Sequence, residues 1–336
     1  MSDDAPVLVE RRGRLGVLTL NRPRAINALD HEMVGIITAA LETWADEETV
    51  GAVLVQGAGE RGLCAGGDIV SLYRAATSGD HAAAAAFWRD EYRMNALIAG
   101  YPKPYIAFMD GIVLGGGVGV SAHGSVRIVT ERTRIGMPET GIGFVPDVGG
   151  TRLLARAPGE LGTHAALTGD MLSGADAIAL GLADHWVPAD RLPALAAALE
   201  SADPGEAVAA VAQEPPASAL AASSWIDAAY AGEDLAAILV RLAAGGDDAR
   251  RAAGVLALRS PLALAITLRS VRLAAAEADL AQALRREYRV SMHMLGEPDF
   301  AEGVRAQVID KDRTPHWHPV DVADVDPAAI DAAFAE

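Results

Sequence analysis

The spacing of hydrophobic and polar residues in the first half of the chain predicts short strands that alternate with helices. Short apolar runs rich in branched side chains are typical of buried strands. They lie at residues 15–21, 52–56, 105–109 and 126–130. Helical spacing predicts helices at residues 30–47, 80–99 and 150–157. This alternation of elements indicates an α/β fold class.

The pattern changes after about residue 199. Residues 200–300 are rich in alanine, and strand spacing is hard to find among them. Ser260-Pro261 is typical of a helix start, and residues 280–295 have helical spacing. The sequence therefore predicts a core at residues 1–200 and a helical C-terminal region at residues 201–336.

Composition excludes several classes of protein. The 336 residues carry 28 Lys+Arg against 45 Asp+Glu, a formal net charge of −17. A chain this acidic is a poor general binder of nucleic acid or of an anionic membrane. The single cysteine, Cys64, excludes an intrachain disulfide and fits a reducing cytosol. His316 and His318 have no recognisable further ligands, so no metal site is predicted.

The chain begins without a basic segment followed by an apolar stretch, and arginines interrupt its longest apolar region, residues 255–275. We therefore expect neither a signal peptide nor a membrane span. The alanine-rich composition, with far more arginine than lysine, favours a bacterial source. The expected location is the cytoplasm.

Three glycine-rich loops follow predicted strands, at residues 64–68, 115–119 and 147–150. Taken singly, each loop is better explained by a tight turn and close packing than by ligand binding. None fits a nucleotide-binding motif or a nucleophile elbow. Two such loops together can form an oxyanion hole, because two backbone amides that converge on one point bind the oxyanion of an acyl-transfer reaction. The candidates are the N–H groups of Gly67 and Gly116.

Three acidic residues stand in settings that favour chemistry. Glu139 lies among apolar residues, which would raise its pKa and suit it to acid–base catalysis. Asp147 follows Pro146, which fits the first turn of a helix whose dipole would favour the ionised acid. Glu91 shares an apolar helix stripe with Phe87. The alternatives are a cap or solvated loop residue for the first two acids, and a buried ion pair with an arginine for Glu91.

The motifs together resemble those of the crotonase (enoyl-CoA hydratase/isomerase) superfamily. They are LNRP (20–23), LCAGGD (63–68) and GGG (115–117). Four segments are similar to its 3-hydroxyisobutyryl-CoA hydrolase subgroup: FWRDEY (87–92), GGGVGVSAHG (115–124), MPETGIGFVPDVGG (137–150) and IDKDRTPHWHP (309–319). The likeness implies a crotonase-like spiral of ββα turns, an acyl-CoA-binding catalytic core in residues 1–200, and a helical C-terminal region.

The resemblance also implies roles for the candidate residues. The amides of Gly67 and Gly116 would hold the thioester carbonyl. Glu139 would be the catalytic carboxylate, and Asp147 would assist it; both would also bind substrate, as would Gly116. Glu91 would contact the substrate.

A CoA ligand is implied as well. Ala65, Gly66 and Gly67 would bind it, and Arg24 is the candidate for its phosphates. No separate cofactor or metal is expected, because CoA is part of the substrate. The expected partner is an acyl-CoA, without nucleic acid or membrane, and an assembly of identical chains stays open.

One departure from the wider superfamily bears on the reaction. Hydratases carry a glutamate three residues after the middle glycine of GGG, and here that position is Gly119. The expected function is therefore hydrolysis of a short hydroxyacyl-CoA, 3-hydroxyisobutyryl-CoA to 3-hydroxyisobutyrate and CoA, as in valine catabolism. An enoyl-CoA hydratase or isomerase and a non-catalytic acyl-CoA-binding relative stay open. So does the choice for Glu139 between activating a water and forming an anhydride.

Overall fold

The strands of residues 5–335, which the computed structural model describes, form two sheets. They are β1 (Val7–Arg12), β2 (Leu15–Leu20), β3 (Ala52–Gly57), β4 (Gly62–Cys64), β5 (Tyr105–Met109), β6 (Ile112–Leu114), β7 (Val126–Val129), β8 (Arg134–Gly136), β9 (Leu172–Ser173) and β10 (His185–Trp186). One sheet has the order β1-β2-β3-β5-β7-β10, and the other has the order β4-β6-β8-β9. The pairs β1–β2 and β8–β9 are antiparallel, and the others are parallel.

From β3 to β8, consecutive strands enter the two sheets in turn. Parallel neighbours need crossover connections, and helices supply them. These are α1 (His31–Asp46) after β2, α2 (Ile69–Ser78) and α3 (His81–Ala99) after β4, and α4 (Gly116–Ser121) after β6. The spiral of ββα turns that the resemblance implies is thus confirmed.

Local chemistry explains where the first helix begins. The Asp30 side chain accepts a hydrogen bond from the Met33 amide at 2.9 Å, so it caps α1 as its position in the sequence predicts. The buried face of α1 includes Ile37, Leu41 and Trp44. Helical spacing therefore predicted this element correctly.

The chain forms two compact units, each made of several segments. The first comprises the residues up to Gly67, residues 90–136 and residues 171–218; the second comprises residues 68–89, residues 137–170 and the residues from Ala219 on. The predicted boundary at residue 200 stays a prediction.

In the first unit, one face of the six-stranded sheet packs against helices. Its helices after α4 are α7 (Gly174–Ala179), α8 (Leu192–Leu199) and α9 (Pro204–Ala209). Side chains two residues apart on a strand share a face, as Leu15 and Val17 do. They belong to one buried cluster with Leu195 of α8 and Val208 of α9. This packing fixes the six-stranded sheet, whereas the glycine loops of the candidate site follow β4 and β6 of the other sheet.

The second unit is helical. Besides α2 and the first part of α3 it contains α5 (Gly150–Ala155), α6 (Leu161–Thr168), α10 (Trp225–Tyr230), α11 (Leu235–Ala244), α12 (Asp247–Leu256), α13 (Pro261–Ala276), α14 (Leu280–Gly296), α15 (Pro298–Val304) and α16 (Pro327–Ala333). Ser260 caps α13 through the Ala263 amide, with Pro261 in the first turn, as predicted.

No single helix within residues 5–335 is long and apolar enough to cross a membrane. The pair α12 and α13 reaches that length and hydropathy only together, and the two helices meet at 114°.

Candidate active site

The loop after β4 has a backbone that neighbouring segments hold in place. The Ala65 amide donates to the Ile26 carbonyl at 2.9 Å, and the Leu29 amide donates to the Gly66 carbonyl at 2.8 Å. Gly66 has φ +107°, a conformation that side chains rarely permit. The glycine at 66 therefore sets the direction in which the chain runs on to Gly67.

The second glycine loop lies beside the first. Gly116 is the first residue of α4, where backbone amides have no acceptor within the helix. A Cβ atom at Gly116 would lie 3.2 Å from the Gly67 nitrogen and 2.7 Å from Glu91 Oε1. The first unit thus brings Gly67, Gly116 and Glu91 together, and Glu91 is only 2% exposed.

Close packing of α4 on β4 allows this approach. A Cβ atom at Gly117 would lie 2.6 Å from the Cys64 carbonyl oxygen, so any side chain there would push the helix away. Cys64 itself is buried, and burial raises the pKa of its thiol to about 12. The thiol therefore stays protonated at neutral pH and is a poor nucleophile.

Two carboxyl groups of the second unit lie close enough to interact. Glu139 begins a 3-10 helix (Glu139–Ile142), and both it and Asp147 are buried, with 8% and 6% of their surface exposed. Burial, and next the negative charge of Asp147, raise the pKa of Glu139 well above its usual range. Glu139 Oε2 has no hydrogen-bond partner among the described residues. An acid in this state holds its proton to a higher pH than an ordinary glutamate does and is suited to acid–base catalysis.

Aromatic packing holds the loop that carries both acids. The Phe144 ring stacks on Trp88, with ring centroids 5.5 Å apart, and contacts Phe300 at 5.3 Å. Gly143 has φ +68°, and a Cβ atom there would lie 2.2 Å from the Asp299 carbonyl oxygen. The loop therefore fits tightly against α15.

The predicted place of Pro146 in the first turn of a helix is wrong. The helix α5 begins only at Gly150, because Val148 and Gly149 have left-handed φ values of 52° and 79° that interrupt the helical path. The Asp147 carbonyl accepts a hydrogen bond from the Gly150 amide at 2.6 Å. The amides of Gly149 and Thr151 at this end of α5 donate to the carboxylate of Glu287, a residue not predicted from the sequence.

The C-terminal motif at residues 309–319 binds back to its own unit. Arg305 pairs with Glu302 at 2.7 Å and with Asp310 and Asp312 at 2.7 and 2.6 Å. The His318 amide donates to Asp299 Oδ1 at 2.7 Å. These contacts give the motif a structural role. Within residues 5–335 no cluster of three or more metal-ligating side chains occurs.

The predicted CoA-binding residues all belong to the first unit. Arg24 is exposed in a 3-10 helix (Pro23–Ala25) that precedes α1. Ala65 and Gly66 lie in the loop described above, next to Gly67. Their roles toward CoA stay predictions.

Known proteins resemble the chain over nearly its whole length. The family model described as "Enoyl-CoA hydratase/isomerase" matches residues 15–334. The chain is 39% identical over 347 residues to "3-hydroxyisobutyryl-CoA hydrolase, mitochondrial" of Rattus norvegicus. The alignment covers 99% of this chain and 89% of the relative.

Solved structures show the same fold. One titled a carnitinyl-CoA dehydratase, from Mycobacterium thermoresistibile, is 53% identical with a TM-score of 0.96, covering 99% of this chain and 97% of the other. One titled an enoyl-CoA hydratase, from Rhodobacter sphaeroides 2.4.1, is 44% identical with a TM-score of 0.93, covering 98% of this chain and 97% of the other.

Proposed function

The chain belongs to the enoyl-CoA hydratase/isomerase family, and we therefore propose that it is an acyl-CoA thioester hydrolase acting on 3-hydroxyisobutyryl-CoA. The products are 3-hydroxyisobutyrate and CoA, as in valine catabolism. The observation that carries the proposal is the buried acid pair, Glu139 with Asp147, in a chain that has glycine at position 119. The name of the Rattus norvegicus relative supports the choice of acyl group.

Each part of the candidate site has a task in this reaction. The amides of Gly67 and Gly116 stabilise negative charge on the thioester oxygen. Glu139 either takes a proton from the attacking water or attacks the carbonyl carbon itself, and Asp147 orients the hydroxyl of the acyl group or the water. The CoA thiolate leaves with little help, because a thiol has a pKa of about 8.5. Glu91 contacts the substrate beside the amide pair.

Hydration of an enoyl-CoA, or loss of water from a hydroxyacyl-CoA, is the second candidate. The titles of the structures from Mycobacterium thermoresistibile and Rhodobacter sphaeroides 2.4.1 favour it. Gly119 argues against it, since water addition to a double bond is best served by two positioned acids and a glycine supplies none. A non-catalytic acyl-CoA binder is a weaker third candidate, because binding alone needs no buried carboxyl of raised pKa.

The deciding experiment compares two substrates. We expect free thiol to appear with 3-hydroxyisobutyryl-CoA, and the enoyl absorbance of crotonyl-CoA to stay unchanged. Loss of enoyl absorbance without thiol release would contradict the proposal and assign the protein to the hydratases. If neither free thiol nor a loss of enoyl absorbance appears, the non-catalytic acyl-CoA binder is the remaining candidate.

Arg24 is proposed to bind CoA phosphates, because it is an exposed cation in a chain with a net charge of −17. Arg24→Ala is expected to raise KM several-fold and to leave kcat nearly unchanged, the pattern of lost uniform binding. The KM of the wild type should rise with salt, since exposed charges are screened over about 8–10 Å at roughly 0.10–0.15 M ionic strength. An unchanged KM in Arg24→Ala would place the phosphates elsewhere.

The remaining expectations are part of the same proposal. We propose a cytoplasmic bacterial protein that needs no metal or redox cofactor and binds neither nucleic acid nor membranes, which the net charge of −17 supports. An assembly of identical chains is compatible with it.

A further inference from the structure

Glu287 is a buried acid of α14 to which the proposed chemistry gives no task. It is only 1% exposed. Its Oε2 accepts a hydrogen bond from the Gly149 amide at 2.6 Å, and its Oε1 accepts one from the Thr151 amide at 3.1 Å. The Thr151 hydroxyl donates to Oε1 as well. Three donors from one short segment thus converge on this one carboxylate.

The segment that Glu287 binds follows Asp147 directly and is strained. Val148 has φ 52°, a left-handed conformation that is a genuine outlier for a β-branched residue. Gly149 adopts φ 79° at no such cost. A strained residue keeps its conformation only when its surroundings hold it there. The bonds from Glu287 to Gly149 and Thr151 hold the chain immediately after the strained position.

The ion pair of Arg286 with Glu277 fixes this support in turn. Arg286 Nη2 donates to Thr151 Oγ1 at 2.9 Å, and Arg286 Nε donates to Glu277 Oε1 at 2.8 Å. Burial raises the pKa of Glu287, while Arg286 and the bonds from Thr151 and Gly149 favour its ionised form. The carboxylate is therefore built into a network rather than free to rotate.

We propose that Glu287 is a positioning residue for the thioester hydrolysis proposed above. It holds the left-handed turn at Val148–Gly149 and so fixes the direction of the Asp147 carboxyl. Asp147 interacts with Glu139, so a turn that relaxes would change the environment of the reacting acid. Glu287 acts through Asp147 and needs no contact with substrate. This inference depends on the proposed function.

The test uses the nearly isosteric variant Glu287→Gln. A glutamine side chain offers one oxygen where three donors converge, and its NH2 group would face a backbone amide. One of the two amides then loses its acceptor and the turn relaxes. We expect kcat to fall by about 10-fold or more, because small misplacements of catalytic groups are costly. KM should stay within about twofold, since no substrate contact is removed.

Glu277→Gln is the matched control. It makes the same chemical change in the same network. The Glu277 carboxylate accepts hydrogen bonds from Arg286 and does not itself bind residues 147–151. It should lower the melting temperature and lower kcat far less than Glu287→Gln does, because the Gly149 and Thr151 amides keep their acceptor. A fall of kcat in Glu277→Gln equal to that in Glu287→Gln would mean general destabilisation and would overturn the proposal.

A double-mutant cycle shows whether Glu287 works through Asp147. In the Asp147→Asn background, Glu287→Gln should have no further effect on kcat, because the group it positions is already lost. Equal fold-losses in both backgrounds would contradict the proposal, and so would wild-type kcat in Glu287→Gln alone. If Glu287→Gln does not fold, Thr151→Val removes a single donor and takes its place in the cycle.

The proposed function and this inference fail differently. A wild type that releases no thiol contradicts the function. The same cycle is then measured on the hydration of crotonyl-CoA. A loss of hydration rate on Glu287→Gln that occurs with Asp147 present and not in Asp147→Asn would still support the role of Glu287. An unchanged hydration rate would contradict it.

Discussion

Glu139→Gln is expected to lower kcat for release of CoA by at least about 100-fold, the scale of a positioned general base. Glutamine keeps the shape of the side chain but can neither take up a proton nor form an anhydride. Thiol release at saturating 3-hydroxyisobutyryl-CoA measures the effect. Binding of CoA, measured by calorimetry, should change little, because the variant removes no group proposed to bind the nucleotide.

The pH dependence gives this prediction a second readout. Burial and the charge of Asp147 raise the pKa of Glu139, so the carboxyl holds its proton at pH values where an ordinary glutamate is ionised. A base or nucleophile must be ionised, and wild-type kcat should therefore fall as the pH falls through that raised pKa. The residual rate of Glu139→Gln should lack this acid limb. A variant with near-normal turnover, or with the same limb, would remove Glu139 from the mechanism.

Gly116→Ala is expected to lower kcat by about 100-fold, because the variant keeps the amide donor but moves the amide pair out of position. The added methyl group would lie 2.7 Å from Glu91 Oε1 and 3.2 Å from the Gly67 nitrogen. Neither neighbour can stay in place, so the carboxylate moves and the amide pair opens. Thiol release measures kcat, and circular dichroism shows whether the variant is folded.

A control for this variant lies in α1. An alanine at Gly35 would meet no atom within 4 Å, so Gly35→Ala makes the same chemical change without a steric conflict. It should keep wild-type kcat and stabilise the helix by up to about 1 kcal/mol. Normal turnover in a folded Gly116→Ala would show that the amide pair does not bind the thioester oxygen.

Elements with strong local patterning could be predicted from the sequence. The strand predicted at residues 105–109 is β5 (Tyr105–Met109), and the helix expected after Asp30 is α1. The first is an unbroken apolar run and the second has apolar residues at helical spacing, and neither pattern needs knowledge of neighbouring elements. The strands β4, β6 and β8 have only three residues each, too few for a period to show. They form because their backbone groups make hydrogen bonds with each other in one sheet, β4 with β6 and β6 with β8.

The candidate site was predictable where residue type alone matters. The adjacency of Gly67 and Gly116 followed from the glycine loops, and the raised pKa of Glu139 followed from its apolar neighbours. The environment of Asp147 did not, because it depends on Glu287, far along the chain, and on a valine in a conformation that valine rarely adopts. An acid on the apolar face of the helix at 280–295 was the sign available in the sequence.

The burial of Cys64 makes the folded chain unreactive toward thiol-reactive dyes. It is the only cysteine, and a thiol with a pKa of about 12 under α4 cannot react at neutral pH while that packing lasts. Colour from such a dye therefore counts released CoA with only a slow background from the enzyme. The slow labelling of Cys64 that remains measures how often α4 separates from β4, so one reagent can follow both turnover and the opening of the glycine loops.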